Sequence, residues 1–118
     1  MKRLILALVL AAPLAHAQEL TIDDWKRQAA HTALLLADYA QTVDIYRRPK
    51  EFHEVNPLLR KNWSEVGIRN YFIASAALNL AVTRALPAEW RPAWQYTHIV
   101  FEALVVLHNR KAGVNFKF

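Results

Sequence analysis

Between Thr21 and Arg48, apolar and polar positions recur with the period of an α-helix. Trp25, Ala29, Thr32, Leu36, Tyr39, Val43 and Tyr46 lie three and four residues apart and predict one packed face. The adjoining face carries His31, Leu35, Asp38 and Thr42. Thr21 with Asp23-Asp24 supplies an N-cap and first-turn acid, so this helix is expected to start near Ile22 and to run until Pro49 stops it. A second start signal is Asn62-Trp63-Ser64-Glu65, with Glu65 placed to reach back to the cap. It opens a helix over about 63–86 that is most apolar from Tyr71 to Val82. Pro87 and Pro92 mark the next corner, and either suits a first helical turn. A third helix is expected over about 92–111, ending with cationic residues before Gly113. The tail from Val114 to Phe118 alternates in character but is too short to make a sheet.

The N-terminus has a different pattern. Lys2-Arg3 precedes the apolar run Leu4 to Leu14, interrupted by Pro13, and Ala15-His16-Ala17 follows. This is the layout of a secretory signal peptide over 1–17, cleaved after Ala17, with 18–118 as a single helical domain. The alternative is an uncleaved anchor, which adds a fourth helix. The predicted fold class is all-α: a three-helix membrane or membrane-associated bundle behind an N-terminal signal helix. There is no internal repeat, low-complexity tract or linker.

Composition narrows the function classes. Apolar residues make up 54% of the chain, with 2 Gly and 5 Pro, which excludes a disordered or turn-rich β chain. The net charge of +5 comes from basic residues at segment ends, without a basic stripe interleaved with aromatics, so nucleic acid is not an expected partner. With no Cys, disulfides and thiolate zinc sites are excluded.

None of the three segments is apolar enough for a strong transmembrane assignment: Asp38 interrupts the first, Arg84 ends the second, and His98 and Glu102 interrupt the third. Charge placement favours a membrane. If the segments span, one side holds Lys2, Arg3, Arg47, Arg48, Lys50, Arg60, Lys61, Arg69, Arg110, Lys111 and Lys117, and the other holds Lys26, Arg27, Arg84 and Arg91. Eleven against four follows the positive-inside rule. Trp25, Tyr46, Trp63, Tyr71, Trp90, Trp94 and Tyr96 lie near segment ends, as interfacial aromatics do. The expected location is the inner membrane, with lipid and other membrane helices or further copies of the chain as partners. The alternative is a soluble periplasmic bundle.

Polar residues recur along one side of each helix: His31, Asp38 and Thr42; Ser75, Asn79 and Thr83; His98, Glu102 and Asn109. If these sides face one another they form a buried polar spine, in which a carboxylate must find a partner or a proton. Its plainest role is a hydrogen-bonded network that fixes helix register. The alternative is a site for protons or for a divalent metal such as zinc, using His31, Asp38, Glu54, His98 and Glu102, although no local spacing defines such a set. His53-Glu54-Val55-Asn56-Pro57 places Pro57 where the H-E-x-x-H motif needs its second His, so it is no zinc-protease signature. Asn56 and Pro57 read as turn residues, Glu54 as a partner for Arg47 or Arg48, and Asp44 as half of a solvated ion pair with the same arginines. No nucleophile–base motif or phosphate loop is present, and enzymatic activity and a cofactor are not expected.

The combination Asp38-x-x-Gln41-Thr42, then Glu54-x-Asn56-Pro57, then two apolar helices resembles a group of small helical membrane proteins of bacteria and their phages. The resemblance covers about 21–113. It implies an all-helical membrane fold and a phage or prophage origin, and it supplies no reaction. Together these readings lead to a small inner-membrane protein acting through helix–helix contacts.

Overall fold

The computed structural model describes residues 19–61 and 63–118, and every regular element among them is helical. The expected signal segment and its cleavage point lie outside the described residues, as does Asn62. Helix α1 spans Ile22–Arg47, α2 Pro57–Lys61, α3 Glu65–Ala85 and α4 Arg91–Lys111, with a 3-10 turn at Ala88–Trp90 before α4. The short α2 and the 3-10 turn are additions to the three expected helices.

Local chemistry sets the boundaries. Thr21 and Asp24 close a capping box: the Thr21 side chain accepts from the Asp24 amide at 3.1 Å, and the Thr21 amide donates to Asp24 Oδ2 at 2.9 Å. Within the expected capping signal it is Ser64 that caps, its hydroxyl accepting from the Gly67 amide at 3.0 Å, so α3 starts at Glu65. Glu65 thus sits in the first turn and pairs with Arg47 instead of reaching back. Leu86 is extended because it precedes Pro87, and this ends α3. At the end of α4, the Gly113 amide donates to Arg110 O and the Val114 amide to Asn109 O. That is a Schellman stop, with Gly113 at φ +92 and Val114 buried behind it.

Helix α1 packs against both α3 and α4, which touch each other little. Asp24 meets Arg91 at one end and Gln41 meets Asn109 towards the other, so α1 and α4 run parallel. Gln28 meets Asn79 while Tyr39 meets Phe72, so α3 runs antiparallel to both. An apolar core of Leu35, Val43, Leu59, Ile68 and Phe72, flanked by Tyr39, Tyr46 and Trp63, fills the α1–α3 side towards the end that bears Arg47.

The rest of the interior is polar. Among the described residues, eleven polar or charged ones are buried against eight hydrophobic ones, while sixteen large hydrophobic side chains are exposed. This corrects the expected packing of α1. Trp25, Ala29, Thr32 and Leu36 face outward, and only Tyr39, Val43 and Tyr46 of that set pack inward. The inward stripe instead follows Asp24, Gln28, His31 and Leu35. Asp44 is also buried, so its pair with Arg48 is not a solvated one. No described helix is long and apolar enough, on its mean hydropathy, to cross a membrane.

Candidate functional site

Buried and half-buried polar residues form a seam along the interface of α1 and α4. On α1 the positions are Asp24, Gln28, His31, Asp38 and Gln41; on α4 they are Arg91, Gln95, His98, Glu102 and Asn109. Steps of three, four and seven keep each set on one side of its helix.

At the N-terminal end of the seam, Arg91 Nη1 donates to Asp24 Oδ2 at 3.1 Å and to Glu19 O at 3.2 Å. Its Nε donates to Thr83 O and Leu86 O, so one side chain also holds the orphan carbonyls at the end of α3. Arg27 bonds Asp24 Oδ1 at 2.6 Å and Gln95 Oε1 at 2.7 Å. Burial alone would push the Asp24 carboxyl up. Hydrogen bonds from Thr21, Arg91 and Arg27 outweigh it and hold the group below its ordinary value of 3.8.

The next layer is built of amides. Gln28 Nε2 donates to Asn79 Oδ1 at 3.1 Å, and Gln95 Nε2 donates to Asp24 O at 2.9 Å. Then His31 meets His98 edge to face at 5.7 Å, and Trp94 lies against His98 at 4.1 Å. Beyond them lie Asp38 on α1, with the Thr42 hydroxyl 3.5 Å from its Oδ1, and Glu102 on α4. Farther along, Gln41 Nε2 donates to Val106 O and Gln41 Oε1 accepts from Asn109. The seam closes where Asp44 takes Arg48 and the Asn115 amide.

Among the described residues, four buried polar atoms have no hydrogen-bond partner: His31 Nδ1, Asn79 Nδ2, Trp94 Nε1 and Glu102 Oε2. Of the five candidate ligands His31, Asp38, Glu54, His98 and Glu102, the two histidines meet ring to ring. Among the described residues no three His, Asp or Glu side chains come close enough to hold a metal ion. Ser75 is turned to the Tyr71 carbonyl of its own helix and adds nothing to the seam. Asn56 shapes the turn, accepting from the Leu58 amide and donating to the Tyr71 hydroxyl, while Pro57 opens α2. Glu54 accepts from the Asn56 amide; Arg47 and Arg48 pair elsewhere.

Asp24, Gln28, Arg91 and Gln95 extend the seam beyond the positions expected from the sequence. The spacing carried the signal: Asp24 and Gln28 continue the His31 stripe by steps of four and three, and Arg91 and Gln95 do the same before His98. Comparison of the chain with protein-family models, with curated proteins and with solved structures gives no match.

Proposed function

We propose that this chain is a small inner-membrane protein whose three long helices cross the bilayer as a bundle and act through helix–helix contacts, not through catalysis. One observation carries the reading. Within residues 28–46 of α1, 70–83 of α3 and 91–109 of α4, no exposed side chain is Asp, Glu, Lys or Arg, although the interior of the same layer is polar. A bundle folded in water has the opposite polarity.

The stretches without an exposed charge are about 28, 21 and 28 Å long at the helical rise, against a hydrocarbon core of roughly 30 Å. Arg69 and Arg84 bracket the shortest, where long side chains extend their charged ends to the interface. The mean hydropathy of each helix is held down by side chains that point inward and never meet lipid. In a polytopic bundle only the outer face has to be apolar.

The ends support an orientation. Arg47, Arg48, Lys50, Arg60, Lys61, Arg69, Arg110, Lys111 and Lys117 gather where α1 and α4 end, which makes that the cytoplasmic side. The resemblance of the D-x-x-Q-T and E-x-N-P motifs to small bacterial and phage membrane proteins fits the same reading. Alkaline carbonate washing of cell membranes tests it. The chain is expected to stay with the membrane pellet, and release into the supernatant would reject the proposal.

A further inference from the structure

Where α2 leads into α3, at the basic end of the bundle, Leu58, Ser64, Val66, Gly67, Asn70 and Tyr71 line an open cavity of about 400 Å³. Its volume falls within the roughly 300–1,000 Å³ of small-molecule sites. No residue of the buried seam is among these six. The Ser64 hydroxyl accepts from the Gly67 amide and the Tyr71 hydroxyl accepts from Asn56, so the hydrogen of each O–H is left to donate. Among the described residues neither hydroxyl donates to a partner, and the Asn70 side chain has none either. The polar part of the lining therefore offers donors.

Charge around the cavity has one sign. No carboxylate is among its six lining residues, and Glu65, the acid beside them in the chain, is held by Arg47 at 2.6 Å. Arg60 and Lys61 follow Leu58 at the end of α2, and Arg69 lies one turn after Val66 on α3. All three are exposed, and among the described residues none pairs with a carboxylate. Donors and cations without an acid suit an anion. The apolar part of the lining has a direction. Val66, Asn70, Ile73 and Ala77 are spaced by four, three and four along α3, and all are exposed. A track thus leads from the cavity along the outward side of α3 into the stretch that carries no exposed charge. A free phosphate would use the cations and donors but not the track.

We propose that this cavity takes the headgroup of one anionic phospholipid of the cytoplasmic leaflet, with an acyl chain laid along Ile73 and Ala77. The inference rests on the membrane reading and adds to it a lipid class and a place. Arg60, Lys61 and Arg69 supply the charge that the phosphate needs, and a guanidinium pairs with phosphate through two parallel hydrogen bonds. The Ser64 and Tyr71 hydroxyls and the Asn70 amide donate to the remaining phosphate, glycerol and ester oxygens. Leu58 and Val66, 65% and 56% exposed, wall the mouth against the start of the acyl chain. A zwitterionic lipid brings its own ammonium to the same cations, so the site discriminates against it.

Native mass spectrometry of the full chain in detergent tests the assignment, with phosphatidylglycerol, phosphatidylcholine or glycerol phosphate added. Wild type is expected to hold one phosphatidylglycerol per chain in preference to phosphatidylcholine, and excess glycerol phosphate should not displace it. Val66→Trp, which fills the mouth of the cavity, should lower the occupancy. Arg60→Gln with Lys61→Gln should weaken binding roughly tenfold. Lys50→Gln with Lys111→Gln removes the same charge from the same end of the bundle, away from the cavity, and should leave binding unchanged. A wild type that does not prefer phosphatidylglycerol overturns the proposal, as does equal loss in the two double variants or binding that survives Val66→Trp. Displacement by glycerol phosphate overturns the lipid as occupant. The wild-type comparison of the two lipids decides the matter even where a variant does not fold. A chain retained by carbonate-washed membranes but without the preference overturns the lipid site alone. A chain that is washed off yet binds phosphatidylglycerol selectively overturns the membrane reading alone.

Discussion

Arg91 concentrates more of the fold in one side chain than any other described residue of the seam. It neutralises Asp24, holds carbonyls at the end of α3 and reaches Glu19. Arg91→Met removes the charge while keeping bulk, and it leaves Asp24 buried with only Arg27 for a cation. Breaking a buried pair in this way costs about 3–5 kcal/mol, which denaturation of the purified chain would measure. Adding Asp24→Leu should recover part of that loss, because it removes the uncompensated charge. The pH dependence follows from the depressed Asp24 carboxyl. Its contribution is complete above the ordinary value of 3.8 and is lost as pH falls through the lower folded value. Thermal stability of wild type should therefore drop more steeply in that acid range than that of Asp24→Asn. Neither role was legible locally: Asp24 reads as first-turn acid and Arg91 as one of four basic residues on one side of the bundle, since 67 residues separate the partners. Asp44 is a similar case. Its arginine is one turn away, but the backbone amide that helps to bury it belongs to Asn115 in the tail.

At the scale of elements, starts and stops were readable because they depend on short-range chemistry. Thr21, Pro49, Pro87 and Gly113 each punctuate the chain where the sequence indicated. Gly113 is the one stop that needs its residue type, since its φ of +92 is costly for any side chain although a Cβ there would meet nothing within 4 Å. Gly113→Ala should thus destabilise the chain by about 1–2 kcal/mol through backbone strain alone, measurable by the same denaturation. Helix faces were less legible. Periodicity gives the spacing of a stripe but not which stripe turns inward, and the usual rule that the apolar one is buried presumes water outside. Leu35 and Leu36 separate the alternatives cleanly, being 6% and 54% exposed. Leu35→Ala should cost about 2–5 kcal/mol, as for other buried leucines. Leu36→Ala, on the face the sequence favoured, should change stability by no more than about 0.5 kcal/mol.

The whole molecule poses the question of what surrounds it, and its outer surface offers the sharpest test. Leu104 lies on the outward side of α4, 61% exposed, two residues beyond Glu102 in the seam. Around it Val100, Phe101 and Leu107 are also exposed. If water surrounds the bundle, Leu104→Lys adds a solvated charge at a loosely packed position and shifts stability by about 0.5 kcal/mol at most. If lipid surrounds it, the same lysine sits in the charge-free layer and costs about 2.5–3.5 kcal/mol on insertion scales. Membrane integration of Leu104→Lys, measured as the carbonate-resistant fraction, should then fall well below that of wild type. A lysine at Arg110, a position already cationic and at the end of the layer, is the matched control and should leave integration unchanged. Equal integration of the Leu104 variant and wild type would mean that the exposed apolar surface does not face a bilayer, whatever else covers it.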